Sequence, residues 1–177
     1  MPLFLAVTLS NEDKNKLHVP YNYAISNSSC PRYEDPSAYH ITMKKIAEND
    51  QNTEIIRLLR EYQCRCTHKK FNVNIKNFYH FDGNIEWMGV NDSLPLYEMK
   101  KEIETLAKEM NITIAEDRFS YTPHVTVGFD FQENEGFNHN FDSIPVLVDN
   151  ITLWGFDEKV NGTHISDILY TVSLKWT

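Results

Sequence analysis

Cysteine is scarce in this chain of 177 residues, which has only Cys30, Cys64 and Cys66. An odd, sparse count argues against a disulfide scaffold and fits a reducing compartment, so a cytoplasmic location is expected. Long apolar runs are also lacking. The opening run from Pro2 to Leu9 is too short to span a bilayer and has no basic leading region, so it reads as a first strand rather than a signal peptide. Cations are in deficit, with 17 Lys and Arg against 25 Asp and Glu, a net charge of −8. Counterion release needs clustered Lys and Arg, so neither a DNA duplex nor a membrane surface is an expected partner. A small anionic ligand stays compatible with this balance. Cys64-Arg-Cys66-Thr-His68 has no second ligand cluster at zinc-finger spacing and reads as free thiols near a helix end. The five Asn-x-Ser/Thr sequons, at Asn27, Asn91, Asn111, Asn150 and Asn161, read as a by-product of an Asn-rich composition.

What is present is an ordinary globular composition, 41% hydrophobic and 24% charged, over a length suited to one domain spanning 1–177. Leu3 to Leu9 is expected as a strand and 10–38 as mostly irregular, with Ser10 to Asp13 able to open a short helix. Tyr39 to Ile46 reads as a strand, and a polar turn at 49–53 leads into an amphipathic helix over 53–63. A strand at 70–81 turns through Asp82-Gly83-Asn84 into a return strand, Ile85 to Val90. Leu96, Met99, Ile103, Leu106 and Met110 recur at helical spacing, with Asp92 or Ser93 as N-cap. A short strand at 113–116 and a strand within 119–130 are expected next. A polar loop over 131–143 follows, and Pro145 to Trp154 and Ile168 to Trp176 close the chain. The 10–38 and 131–143 segments are candidates for gating.

The informative stretches are Tyr39-His40-Ile41-Thr42-Met43 and Pro123-His124-Val125-Thr126-Val127. On a strand, residues i and i+2 share a face. His40 and Thr42 therefore point one way and Tyr39, Ile41 and Met43 the other. His124 and Thr126 pair likewise, opposite Pro123, Val125 and Val127. Two imidazoles can supply a general acid and a general base near neutral pH, and two hydroxyls can hydrogen-bond phosphate oxygens. The two motifs fall one per half, and each half carries strands and one amphipathic helix. A pseudo-symmetric α+β fold is expected, with lobes of approximately 1–84 and 85–177, two antiparallel sheets lining a central cleft, and helices outside. Metal sites gather three or more His, Asp or Glu ligands, whereas these motifs pair His with Thr, so no metal or other cofactor is expected.

On these motifs the chain resembles the 2H phosphoesterases, a superfamily with two His-x-Ser/Thr signatures. It is most similar to the RNA 2′,3′-cyclic phosphodiesterase group, also called 2′-5′ RNA ligase-like. Pro2 to Val7 is similar to that group's opening strand, Phe71-Asn72-Val73 with Ile85 to Val90 to its central hairpin, and 94–110 to its long helix. Lys44-Lys45-Ile46 departs from it, standing where bacterial members carry an aliphatic-aromatic-Gly run.

The resemblance implies that one of His40 and His124 acts as general base and the other as general acid, while Thr42 and Thr126 hold non-bridging phosphate oxygens. The implied activity is metal-independent hydrolysis or transesterification of a ribonucleotide phosphodiester. The substrate would be a 2′,3′-cyclic phosphate, a 2′-5′-linked oligonucleotide or a cyclic oligonucleotide, met by a monomer as a small nucleotide or short RNA. The competing reading is a non-catalytic nucleotide- or RNA-binding module on the same fold.

By alternation, Lys44 shares the face of His40 and Thr42 and is a candidate to neutralise phosphate, and Thr122 shares the face of His124. Tyr121 falls on the opposite face, and Arg118 reads as a surface cation. Phe78, Tyr79, His80 and Phe81 read as core packing, with base stacking as the alternative. His18, His68, His139 and His164 lie outside any motif.

Overall fold

The computed structural model describes residues 2–47, 51–158 and 164–176. The chain opens with strand β1 (Leu3–Thr8), helices α1 (Asn11–Lys16) and α2 (His18–Ser26), and strands β2 (Ser28–Ser29) and β3 (Arg32–Tyr33). A 3-10 turn (Pro36–Ala38) leads into β4 (His40–Ala47), followed by α3 (Asn52–Arg65) and the hairpin β5 (Phe71–Phe81) and β6 (Ile85–Asn91). Then come α4 (Leu94–Glu109), β7 (His124–Phe129), β8 (Gln132–Glu133), β9 (Ile144–Val148), β10 (Asn150–Glu158) and β11 (His164–Ser173).

The fold is α+β, with antiparallel pairing between the named strands. One sheet has the order β11-β10-β1-β4, a second β3-β7-β6-β5-β9, and β2 and β8 form a small third. Alternation explains why each large sheet buries one face. Leu3, Leu5 and Val7 of β1, Ile41 and Met43 of β4, and Ile151 and Leu153 of β10 are buried together. In the second sheet Val73, Ile75 and Phe78 join Met88, Val90, Val125 and Val127. Helix α3 packs on β11, α4 on α3 and β4, and α1 on β9. Strand β4 of one sheet contacts β7 of the other, and these two strands carry the two His-x-Thr motifs.

Several expectations are corrected. The sheets do not divide the chain near residue 84, because both chain ends pair in the four-stranded sheet and residue 84 lies in the β5–β6 hairpin of the other. The short helix that Ser10 to Asp13 could open forms as α1, but residues 18–26, expected to be irregular, are helical as well. Ser10 Oγ accepts from Asp13 N at 3.1 Å, and the buried Asp13 carboxylate accepts from Leu147 N at 2.9 Å, which ties α1 to β9. The single strand expected at 145–154 is two strands in different sheets, parted at Asp149. No strand forms at 113–116, where Ala115 N makes one bond to Ile46 O. Ser93 occupies the N-cap position of α4 without a side-chain cap bond. The two closing strands extend past the expected Trp154 and before the expected Ile168, to Glu158 and from His164. The turn residues 49 and 50, the sequon at Asn161 and the side chain of His164 lie outside the described residues.

The 131–143 segment runs behind the five-stranded sheet, on its buried face. Phe131 and Phe137 are buried, Phe131 N bonds Asn84 O at 2.9 Å, and His139 O accepts from Phe78 N at 2.7 Å. It is therefore pinned to the back of the sheet and is not placed to close over the motifs.

Two local devices shape the open face of the hairpin. Gly83 and Asn84 both adopt positive φ, 85° and 58°, as a tight reversal requires. Asn77, at φ 64°, is the extra residue of a bulge between Lys76 and Phe78, and its Oδ1 accepts from Phe141 N. The bulge keeps Phe78 in the core and turns Tyr79 and Phe81 to the open face. There Gly89 pairs with His124 in the register. A Cβ on Gly89 meets the Tyr79 ring at 2.7 Å and Lys76 O at 2.9 Å. Gly89→Ala should therefore cost roughly 1–3 kcal/mol through overpacking against backbone, read as a lower urea midpoint with unchanged slope. An unchanged midpoint would show that the hairpin yields freely at this contact.

Candidate active site

His40 and His124 each begin a strand, and each imidazole is tethered in the same way. Nδ1 of His40 lies 2.9 Å from Ala38 O, and Nδ1 of His124 lies 2.7 Å from Thr122 O. A carbonyl can only accept, so in the neutral ring Nδ1 carries the proton and Nε2 is the basic nitrogen. The chain folds this way locally because each histidine follows a constrained segment. Ala38 ends the 3-10 turn, which Asp35 caps by accepting from Ser37 N at 2.8 Å. Pro123, buried, precedes His124. Thr42 and Thr126 follow two residues later on the same faces, and all four motif side chains are half-buried.

The rings have different surroundings. His40 stacks on Trp154, with centroids 5.7 Å apart and planes inclined by 29°. His124 is met edge-on by Phe81 at 5.0 Å and by Trp87 at 5.7 Å. Trp87 is in turn sandwiched between Tyr79 at 4.8 Å and Phe81 at 4.6 Å, which makes a three-ring stack beside His124. Burial lowers the His124 pKa from the ordinary imidazole value, opposed by the bond to Thr122 O and reinforced by the charge of His40.

Of the other residues singled out in the sequence, Lys44 is the clear departure. Leu5 pairs with Lys44 and Ala6 with Thr42, so Met43 is the extra residue of a bulge. The bulge turns Lys44 from the His40 face onto the buried face of Leu5. Its side chain is 3% exposed there, bonded to Asp117 Oδ1 at 2.8 Å and Glu104 Oε1 at 3.0 Å, and Lys100 bonds both carboxylates as well. Burial works to raise the Asp117 pKa, but the bonds from Lys100 and Lys44 outweigh it and hold the carboxyl below its usual range. Lys44 is neither a solvated lysine nor a cation free for phosphate. Lys45, which pairs with Phe4, is the lysine that the bulge leaves on the open face.

The Thr122 side chain is exposed, and its contribution is the carbonyl that holds His124. Strand β7 begins after Tyr121, so strict alternation does not apply there. Tyr121 packs edge-on against Tyr97 at 4.9 Å. Arg118 is exposed. Phe78 is core, as expected, whereas Tyr79 and Phe81 are not. His18 packs on Tyr21, His68 bonds Glu102 at 2.9 Å, and His139 bonds Glu133 at 2.6 Å. Cys64 lies in the last turn of α3 and Cys66 at its C-cap, both as free thiols.

Sequence reasoning missed Trp154, Lys45 and the polar row of Thr8, Asn150 and Thr152. Asn150 Oδ1 accepts from Thr8 N and Thr152 Oγ1, both at 3.0 Å, and Thr8 pairs with His40. The signal was available for β10. Asn150, Thr152 and Trp154 alternate with Ile151 and Leu153, the same period-two pattern that identifies the histidine strands.

In comparisons with known proteins, the chain superposes on solved structures over nearly its whole length. A phosphoesterase crystal structure matches with a TM-score of 0.78 at 16% identity, covering 98% of this chain and 97% of that one. LigT of E. coli complexed with 3′-AMP gives 0.77 at 16% identity, covering 98% and 99%. TT0787 of Thermus thermophilus gives 0.75 at 14% identity, covering 99% of each chain. These likenesses show the fold. No curated protein sequence matches significantly. The model of the 2′-5′ RNA ligase superfamily matches residues 24–159, well over half of the chain and both His-x-Thr motifs. With its two motifs on facing strands and this match, the chain belongs to the 2′-5′ RNA ligase superfamily, within the 2H phosphoesterases.

Proposed function

We propose that the chain is a metal-independent phosphodiesterase that hydrolyses or transesterifies a ribonucleotide phosphodiester by two-histidine acid–base catalysis. Family membership supports a function related to nucleotide phosphodiesters in general. The observation that carries the finer reading is the paired tether: each imidazole gives Nδ1 to a carbonyl two residues earlier, which leaves Nε2 as the working nitrogen. A binding module has no use for two proton carriers oriented alike, whereas an in-line displacement at phosphorus needs one on each side.

In this mechanism the phosphate sits between the motifs, its non-bridging oxygens accepting from the hydroxyls of Thr42 and Thr126. His124 is assigned as the base, because burial favours its neutral form. It takes a proton from water, or from a ribose hydroxyl when the reaction is a transesterification. His40 gives a proton to the leaving oxygen. On a 2′,3′-cyclic phosphate the product is a 2′-phosphate when the 3′ oxygen leaves. On a 2′-5′ linkage, attack by the adjacent 3′-OH gives a cyclic product. Lys45 supplies positive charge on the His40 side. The Tyr79–Trp87–Phe81 stack beside His124 offers a flat apolar surface for a nucleobase. Two imidazoles and two hydroxyls carry both proton transfers and the contacts to phosphate, so the scheme needs no metal. LigT is solved with 3′-AMP, NADP+ and ATP, which accords with a small nucleotide as the ligand here.

The test is a substrate panel of a 2′,3′-cyclic nucleotide, a 2′-5′ oligoadenylate, a 3′-5′ control and cyclic di- and trinucleotides, assayed with and without EDTA. Cleavage of one class should survive EDTA and fall by ~10²–10⁴-fold in His40→Ala or His124→Ala. Near-wild-type turnover in either variant sinks the assignment. Nucleotide binding with no cleavage of any member would instead point to the non-catalytic module.

The pH dependence follows from the lowered His124 pKa. A base must be deprotonated to act, and a depressed pKa keeps it so at lower pH. The acid limb of the kcat/KM profile should therefore fall below the ordinary imidazole value of about 6.5. It should be absent from the residual activity of His124→Ala. An acid limb above that value, measured with initial rates across pH 4–9, would overturn the assignment of His124 as the base.

A further inference from the structure

Behind the five-stranded sheet, on the face away from the two motifs, lies a cluster that the mechanism does not use. His80 and Glu86 are paired across the β5–β6 hairpin, and Glu133 reaches them from β8. One ligand atom from each lies within 4.8 Å of the others. Glu86 is 2% exposed, and its Oε1 is buried with no hydrogen-bond partner among the described residues. A buried carboxylate oxygen left unpaired is among the more expensive features a fold can carry. The neighbours of Glu86 on that face are one imidazole and a second carboxylate, which is a ligand set.

We propose that His80, Glu86 and Glu133 bind a divalent transition-metal ion of the zinc class, as a structural staple separate from the phosphodiesterase site. One nitrogen and two carboxylate oxygens suit such an ion better than Ca2+ or Mg2+, which prefer oxygen ligands alone. Ligand atoms of a tetrahedral zinc site stand on the order of 3.4 Å apart, from bond lengths near ~2.1 Å. The cluster has to close by at most roughly 1.4 Å on that scale. His80 and Glu133 are exposed and adjustable, while Glu86 is fixed in the core. His139 Nε2, 2.6 Å from Glu133 Oε1, is positioned to orient that carboxylate, as imidazole and carboxylate partners do around metal ligands. The ion would tie β8 to the tip of the β5–β6 hairpin. The opposite face of that hairpin carries Tyr79, Phe81 and Trp87, so the staple would brace the aromatic stack from behind.

The test is calorimetric titration of the full chain with zinc chloride, after stripping with EDTA and removal of the chelator. It is run in a His40→Ala/His124→Ala background, so that the open imidazoles of the cleft cannot supply the site. One ion per chain is expected, with affinity reduced at least ~10-fold by His80→Ala and by Glu133→Gln, and lost in Glu86→Gln. Zinc should also raise the melting temperature of the background protein, and by less in its His80→Ala form at the same zinc concentration. The two exposed positions keep the test open should Glu86→Gln fail to fold. Absence of binding overturns the proposal. So does binding that survives both His80→Ala and Glu133→Gln, or a wild-type ion that disappears in the background variant.

Discussion

The site depends on one constraint, the locking of alternate residues of β4 and β7 in the core. Ile41, Met43, Val125 and Val127 are each almost wholly buried. Each contributes about 1.5–3 kcal/mol through burial, so the four together hold roughly 6–12 kcal/mol. A slip of either strand by one residue would exchange its apolar pair for an imidazole and a hydroxyl. The combined loss is of the order of the net stability of a whole domain, about 5–15 kcal/mol. The orientation of His40, Thr42, His124 and Thr126 is thus enforced by side chains on the opposite face of each strand. The carbonyl tethers at Ala38 and Thr122 then fix the one freedom that remains, rotation of each ring.

That constraint also explains what was legible in the sequence. The two histidine strands, the hairpin around Gly83 and the long helix all follow from periodicity in consecutive residues, and each forms where the pattern puts it. The errors collect where the pattern is interrupted by something the sequence does not mark. One extra residue at Met43 sends Lys44 inward to Asp117 and Glu104, residues 73 and 60 positions away, and leaves Lys45 on the open face. Period-two reasoning assigns the reverse. Asn77 has the same effect in β5, moving Tyr79 and Phe81 out of the core and beside His124. A bulge is set by pairing with a distant strand, so local alternation cannot find it. Helix α1 showed only its capping residues in the sequence and α2 was hidden, for another reason. They hold few buried side chains, and α1 is anchored through the polar Asp13 to the backbone of β9, so no apolar stripe marks them.

The bulges are also how this fold places unlike chemistry on the two sides of a thin sheet. In β6, Glu86 and Trp87 are neighbours in sequence, yet one faces the buried side and the other the aromatic stack. The extra residue Val127 in β7 preserves this division, pairing Gly128 with Glu86 and Thr126 with Trp87. Gly128 suits the crowded side, since a Cβ there would stand 2.8 Å from Cys30 Sγ and 3.2 Å from Arg32 O. Adjacent residues of one hairpin therefore serve a carboxylate cluster behind and a ring platform in front.

The two motifs are alike in sequence and in their tethers, but acid–base catalysis needs them unlike in proton affinity. Identical surroundings would give two equivalent imidazoles, each half-competent for either role. The fold breaks the equivalence through the aromatic shells. Trp154 covers one face of His40, whereas Phe81 and Trp87 meet His124 edge-on and bury it. Burial disfavours the charged ring, and a proton on His40 disfavours a second on His124. Both influences push in the same direction and favour the neutral form of His124. In the proposed mechanism the base is therefore the imidazole that the aromatic residues enclose, His124.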